Sequence, residues 1–325
     1  MPHVTIVVPA RDEEENLTTL LPSLKALDYA NFDVVVVDDG STDKTMDVAS
    51  TFGVTVIEAG PKPTGWVGKN WACARGAEIA KGDFILFTDA DTRHRKDSLT
   101  KVVAFARSRH AGLVTAPPFH LAPTWWEKML GLFQLLPLLL TAYRHSPHAT
   151  RKYSIGQYLL FDRATYEKIG GHTALRSSLT EDIDLGRAVI TSGAGLVVHP
   201  DADLYSVRMF ESFETFAKGW TRLLRLGMGK SNLVSVVELL LVIQLFVGPN
   251  SAMGAALKVA AVAFLIYRQR HFGEFTLWGA VFYPFSLALF TALSVAAVIA
   301  RFTGRPIVWR EREYESDFEA RSRSA

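Results

Sequence analysis

Over residues 1–120, short apolar runs alternate with polar segments of helical period. Val4–Ala10 (VTIVVPA) is a β-branched run bounded by Pro9, which predicts a buried strand. Glu14–Leu27 then sets Leu17, Leu20, Leu21 and Leu24 at helical spacing. Phe32–Asp43 (FDVVVVDDGSTD) predicts a second buried strand ending in carboxylates. A helix from about Lys44 to Thr51, a strand over Val54–Ala59, a Gly- and Pro-rich loop, a helix from about Asn70 to Ala80 and the strand DFILFTDAD (Asp83–Asp91) follow. Strands apolar throughout and alternating with helices predict the α/β class, with a Rossmann-like, mostly parallel sheet. Ligands of such sheets bind at the carboxyl ends of the strands.

The pattern changes further along. Residues 233–300 are largely apolar, with few charges beyond Glu238, Lys258 and the cluster at Arg268–Glu274. Leu233–Pro249 has the length of a membrane span, Ser251–Tyr267 is borderline, and Phe275–Ala300 is long enough to span or to bend at Pro284. A C-terminal transmembrane helical region over 231–300 is therefore expected, in preference to buried core helices, because the runs carry small residues suited to packing in lipid. Lys218, Arg222, Arg225 and Lys230 precede the first run, so the N-terminal domain, residues 1–230, is expected to be cytoplasmic. Three full spans would put Arg301, Arg305, Arg310 and Arg312 of the basic arm 301–325 outside, against that tendency. One segment is thus expected to be re-entrant or interfacial, with Pro284 as the break. Pro123–Tyr143 is apolar but contains Trp125, Trp126, Glu127, Lys128 and Pro137; it reads as an interfacial segment, with buried core as the alternative.

Composition narrows the function. The 325 residues contain 35 Lys plus Arg against 33 Asp plus Glu, a near balance that argues against a nucleic-acid partner. The one cysteine, Cys73, excludes a disulfide framework within the chain and suits a reducing compartment. The start MPHVTIVVPARDEEEN has no basic stretch, long apolar core or small-residue cleavage site, so no secretory signal is expected.

Three predicted strands end in groups with chemistry: Pro9-Ala10-Arg11-Asp12-Glu13, Asp38-Asp39-Gly40-Ser41 and Asp89-Ala90-Asp91. No G-x-G-x-x-G follows any of them, which excludes the dinucleotide fingerprint. Asp89 and Asp91 repel each other unless something positive lies between them, and a divalent cation carried by a phosphorylated ligand would serve. Taken singly, each motif has an ordinary reading. Asp38–Ser41 fits a turn and helix cap, and the acidic start of TEDIDLGRAVITSG fits a helix capped by Thr180 and stopped by Gly193. The ordered set at strand ends is what points to a site.

VVPARDEEENL, VVVDDGSTDKT, GDFILFTDADT and LTEDIDLGRAV, in this order, resemble the signatures of family 2 glycosyltransferases with the GT-A fold, over roughly residues 3–230. GWVGKNWA (Gly65–Ala72), GQYLLFDRATYEKIGGH (Gly156–His172) and VWREREY (Val308–Tyr314) resemble the membrane-bound carotenoid glycosyltransferases of the hydroxychlorobactene or diaponeurosporenoate glucosyltransferase type. The resemblance implies an inverting transfer of one sugar, glucose in that subgroup, from a UDP-sugar to a hydrophobic, lipid-like acceptor. It implies donor contacts from Pro9, Ala10, Arg11, Glu13, Asp39, Asp89 and Ala90, and from Lys69, Arg222 and Arg310. Asp91, with Asp89 beside it, would hold Mg²⁺ or Mn²⁺. Asp182 would be the base, with Glu181 its neighbour, and Gly156, Gln157, Tyr158 and Trp220 would wall the acceptor. A solvated Lys69, membrane anchoring by Trp220 and Arg222, and a structural rather than metal-binding His199 are the plainer alternatives. Processive members carry Gln-x-x-Arg-Trp where this chain has Phe216 and Gly219 before Trp220, which favours transfer of a single sugar. A polyprenyl-phosphate or glycerolipid acceptor is the competing substrate class, and a non-catalytic nucleotide-sugar-binding membrane protein the competing function.

Overall fold

A computed structural model describes residues 1–131, 133–134, 154–200, 202–227, 252–309 and 312–314. It divides into two compact units, Met1–Leu121 with Thr141–Arg208 and Ala122–Leu140 with Met209–Ala325.

The first unit is built on a seven-stranded sheet in the order β3-β2-β1-β4-β8-β6-β9. Its strands are β1 (Val4–Ala10), β2 (Phe32–Asp38), β3 (Thr55–Glu58), β4 (Phe84–Thr88), β6 (Ala111–Thr115), β8 (Tyr158–Asp162) and β9 (Gly195–Val198). Neighbours pair in parallel except at β8, which runs against both β4 and β6. The strands are apolar throughout because both faces are covered. On one face Ile6, Val8 and Val36 join the leucines of α1 (Glu14–Lys25) and Leu99, Val102 and Val103 of α4 (Ser98–Ser108). On the other, Val7, Val35 and Val37 meet Ala72 and Cys73 of α3 (Gly68–Ile79). The approach of α3 is so close that a Cβ on Gly76 would lie 2.3 Å from Val7 Cγ1, so the helix can sit there only with glycine at that position.

The chain passes from β1 through α1 to β2 and through α2 (Thr45–Thr51) to β3 on one side, then crosses to β4 on the other side of β1. The order therefore reverses between β1 and β4, and the crevice at a reversal is where α/β sheets bind ligands. Because β8 is antiparallel, its first residues lie at the same edge as the last residues of β4, with Tyr158 opposite Thr88. A small second sheet joins β5 (Thr92–His94), β10 (Tyr205–Val207) and β7 (Phe119–His120).

The second unit contains α5 (Trp125–Met129), α9 (Phe213–Gly227), α10 (Ala252–Phe272), α11 (Leu277–Val281), α12 (Tyr283–Phe302) and a hairpin of β11 (Ile307–Trp309) with β12 (Arg312–Tyr314). Leu130, Phe133, Phe216 and Trp220 form its aromatic core with Leu289 and Phe290. The apolar Pro123–Tyr143 stretch thus enters a core at Leu130 and Phe133, whereas Trp125 stays exposed; residues 135–143 lie outside the described residues. The expected break near Pro284 falls at Phe282, where α11 ends and α12 begins. Among the described residues one helix, Phe285–Phe302, is long and apolar enough to cross a membrane, and little of it is buried within the protein. The Leu233–Pro249 run lies outside the described residues.

Candidate active site

The ends of β1 and β2 are laced together. Asp39 N–H donates to the carbonyl of Ala10 at 2.9 Å, so Pro9-Ala10 and Asp39 form one edge. Asp12, in the left-handed region at φ 53°, accepts from Thr42 N–H at 2.7 Å and donates its own N–H to Ser41 Oγ at 3.0 Å. The Thr42 N–H, working against burial, holds the Asp12 carboxyl below its ordinary value. Asp38 spends its carboxylate on the turn, accepting from Gly40 and Ser41 N–H groups at 3.1 Å each. Glu13 is buried, its N–H held by Thr45 Oγ1 at 2.8 Å and its Oε2 taking Asn16 Nδ2 at 2.5 Å. Arg11 lies half-buried beside Asp12, at 3.6 Å. The predicted donor residues of this edge are thus brought together. Asp12, not among them, emerges as the strut of the loop; its place between Arg11 and Glu13 was the only signal of it in the sequence.

The end of β4 meets two helix starts. Asp89-Ala90-Asp91-Thr92 is a turn closed by Thr92 N–H to the Asp89 carbonyl at 3.3 Å. Lys69, in the first turn of α3, reaches Asp89 Oδ1 at 2.7 Å and Glu181 Oε1 at 3.2 Å. Burial disfavours its charge, but Asp89 and then Glu181 outweigh that and hold the ammonium well above the usual lysine value. Part of the positive charge that the acidic strand end requires is therefore supplied by the chain itself.

Glu181 and Asp182 open α8 (Glu181–Thr191), with Thr180 at the cap position and Gly193 beyond the end at φ +82°. Asp182 Oδ1 accepts from Ile183 N–H at 2.8 Å and Oδ2 from Gly156 N–H at 3.0 Å. Burial, then the charge of Glu181, raise its carboxyl to about 7, against Lys69 and the two N–H groups. A carboxylate that changes protonation near neutrality is the kind that takes and returns protons in catalysis.

Gly156 and Gln157 stand beside this group because β8 starts here. A Cβ on Gly156 would come within 3.2 Å of Asp182 Cβ, so the position needs a glycine for the carboxylate to stay where it is. Two expected acceptor residues lie in the cores of their units. Tyr158 is fully buried, stacked on Tyr205 at 5.2 Å, because it is the first inward residue of β8. Trp220 is 5% exposed in the aromatic core of the second unit, its ring edge-on to Phe133 at 4.6 Å, so neither ring is available as an open wall. Arg222 lies half-buried on α9 of that unit, and Arg310 lies outside the described residues. His199 is buried in a T-shaped contact with Phe105.

Asp89 and Asp91 offer hard carboxylate oxygens, the donor set of Mg²⁺ and Mn²⁺. No group of three or more His, Cys, Asp or Glu side chains among the described residues could hold a metal by itself.

Residues 5–182 match the family model described as Glycosyl transferase family 2. The chain is 27% identical, over 96% of its length and 88% of the relative's, to a 4,4'-diaponeurosporenoate glycosyltransferase of Staphylococcus aureus (strain USA300). The fold is similar to that of a mannosyltransferase from Pyrobaculum calidifontis solved with GDP-Man and Mn²⁺, with a TM-score of 0.57 and 17% identity over 91% of this chain and 87% of that one.

Proposed function

The chain belongs to glycosyl transferase family 2, and from that premise we propose that it moves a single glucose from UDP-glucose to the polar end of a membrane-held carotenoid, with inversion at the anomeric carbon. The observation that carries this reading is the Asp182 carboxylate, held by the Gly156 and Ile183 N–H groups at the ligand-binding edge of the sheet and raised to about 7. In this reading Asp39, Glu13 and Arg11 receive the base and ribose, whose N–H and hydroxyl groups suit carboxylate acceptors. Lys69 meets the diphosphate, and Asp91, with Asp89, holds Mg²⁺ or Mn²⁺. That ion, when bound, would neutralise the diphosphate and ease departure of UDP.

The acceptor oxygen attacks the anomeric carbon from the face opposite the diphosphate. The new carbon–oxygen bond forms as the bond to the phosphate oxygen breaks, UDP leaves with the electron pair, and the acceptor's proton passes to Asp182. A hydroxyl acceptor requires this base. A carboxylic acid acceptor is already ionised near neutrality, so its oxygen attacks as the carboxylate and needs no base.

Two observations support a membrane acceptor. The Staphylococcus aureus relative is named for a carotenoid acid. The apolar, mostly unburied helix Phe285–Phe302 has the length of a span, and exposed apolar residues continue along the second unit at Phe264, Trp278 and Phe282. The catalytic domain would then face the cytoplasm. The test is incubation of detergent-purified protein with radiolabelled UDP-glucose and separate acceptors: 4,4'-diaponeurosporenoate, a hydroxylated carotenoid, a polyprenyl phosphate and diacylglycerol. Label is expected in a carotenoid, with the β-anomer formed from the α-linked donor. Label confined to the polyprenyl phosphate or diacylglycerol would overturn the acceptor, and a retained α-linkage would overturn the mechanism.

A further inference from the structure

Behind the Asp89–Asp91 turn lies a buried polar chain. Thr88, the last residue of β4, is 1% exposed, and its hydroxyl lies 3.0 Å from each of three atoms: the Gln157 carbonyl oxygen, Thr92 Oγ1 and His94 Nε2. Thr92 Oγ1 in turn lies 2.8 Å from the Asp89 carbonyl. The Thr88 and Thr92 hydroxyls donate to the carbonyls of Gln157 and Asp89, which also accept the N–H groups of Asp89 at 3.4 Å and Thr92 at 3.3 Å. The acceptor side of Thr88 is then filled by His94 through Nε2–H.

The opposite tautomer is the costlier one. His94 Nδ1 is buried with no hydrogen-bond partner. If it carried the proton, a buried N–H would be orphaned; with the proton on Nε2, only an acceptor lone pair is left over. Burial also keeps the imidazole neutral, lowering its pKa to about 3. The ring is held in place from outside the chain of bonds: His94 N–H donates to Ser23 Oγ at 3.0 Å, and the ring lies 5.4 Å from that of Tyr158.

The far end of this chain reaches the base. The carbonyl that Thr88 holds belongs to Gln157, and the preceding residue, Gly156, gives its N–H to Asp182 Oδ2. Other bonds steady the same segment from the opposite side: Ile155 N–H donates to Thr115 Oγ1 at 2.9 Å, and Ser154 Oγ donates to the Asp182 carbonyl. Backbone bonds hold the same segment, from Tyr158 N–H to the Ile155 carbonyl at 3.1 Å and from Asp89 N–H to the Gln157 carbonyl at 3.4 Å, and the Thr88 hydroxyl adds to them; a shift of an ångström at such a place is enough to cost a large factor in rate.

We propose that Thr88, oriented by the Nε2–H of His94, is a positioning residue for sugar transfer: it fastens the Gly156–Gln157 segment to the strand end that carries Asp89 and Asp91, and so keeps the Gly156 N–H on Asp182. The inference rests on Asp182 as the base. Thr88 touches no reacting atom and acts through the Gln157 peptide.

The test compares Thr88→Val, which keeps the shape and loses the hydroxyl, with Thr88→Ser, which keeps it. Hydrogen exchange of the peptide spanning residues 155–162 reads the fastening without reference to activity. Thr88→Val is expected to speed exchange at its first residues by about 5–10-fold, the worth of one hydrogen bond, and Thr88→Ser by less than about twofold. In transfer from UDP-glucose, Thr88→Val is expected to lower kcat by about 10–100-fold with KM for the donor nearly unchanged, and Thr88→Ser to restore it. Should Thr88→Val melt below the assay temperature, His94→Phe keeps an aromatic ring beside Tyr158, removes the donor and is expected to move exchange and kcat in the same direction. Equal loss in the valine and serine variants, or unchanged exchange at residues 155–158, would overturn the proposal. In an Asp182→Asn background Thr88→Val should cost nothing further; a fully additive loss would also overturn it. Wild-type turnover in Asp182→Asn alone, with the exchange result intact, would sink the assignment of the base while leaving the fastening standing.

Discussion

Lys69 Nζ stands 2.7 Å from Asp89 Oδ1, across the gap between the first turn of α3 and the end of β4. The positive charge that the acidic turn needs is therefore partly built in, and in the proposed function a divalent ion would share Asp89 with an ammonium group. Lys69→Met is expected to split two affinities in opposite directions. Mn²⁺ alone should bind more tightly, by about 3–10-fold, because a like charge within contact distance is gone. UDP with Mn²⁺ should bind more weakly by about tenfold, because a charged contact to the diphosphate is lost. Calorimetry with the two titrants checks both, and affinities that move together would remove Lys69 from the donor site.

As the proposed base, Asp182 would govern the pH dependence. Its carboxyl is raised to about 7, so with a hydroxyl acceptor kcat should rise with pH through a single ionisation near that value, since the base works deprotonated. Asp182→Asn should lower transfer by about 10²–10⁴-fold and leave UDP affinity in place. With a carboxylic acid acceptor the loss should be smaller, because that acceptor ionises without help. A pH–rate profile that is flat between pH 5 and 9 would move the base elsewhere.

The same group opposes stability. The unfolded carboxyl has an ordinary pKa of about 4, so between there and about 7 the folded protein binds the extra proton. Stability from this group is full below about 4 and is lost as pH rises through 7. Asp182→Asn, which carries no charge, should therefore melt higher than the parent at pH 8, by about 2–4 °C, and not at pH 4. A lower melting temperature at pH 8 would mean that the two N–H bonds to the carboxylate are worth more than its burial costs.

Asp91→Asn should abolish the Mn²⁺ dependence of UDP binding with the melting temperature nearly unchanged. Asparagine keeps the shape of the turn and one oxygen but loses the charge that a hard cation requires. Calorimetry of UDP with and without Mn²⁺ reads the effect, and an undiminished metal dependence would transfer the ligand role away from Asp91.

Gly156→Ala places a Cβ 3.3 Å from Asp182 Oδ2, tighter than most such contacts. The carboxylate must give way by a few tenths of an ångström, so kcat should fall by about 10–100-fold while donor affinity stays within about twofold. A fully active alanine variant would show that the carboxylate can move without loss.

Much of the first unit was readable along the chain. The β-branched runs at Val4–Ala10 and Phe32–Asp38 and the leucines of α1 announce their elements because strand and helix periods are local properties. Carboxylates at three strand ends marked the edge of the sheet where ligands bind, and the order of the motifs carried the family. The roles of neighbouring residues were not readable. Asp38 and Asp39 look alike in sequence, yet one carboxylate is consumed by its own turn. Tyr158 looks like a neighbour of the site and is a core residue.

The amino-acid sequence by itself determined the elements, the class of the fold and the supply of carboxylates, because propensity, periodicity and capping act over a few residues. Tertiary structure alone decided that β8 runs antiparallel, and with it that Gly156 reaches Asp182 and that Thr88 reaches the Gln157 carbonyl. It alone decided that Lys69 bridges Asp89 and Glu181. Such pairings depend on strand register and on which face a helix presents, and these are fixed only when the two cores pack on either side of the sheet.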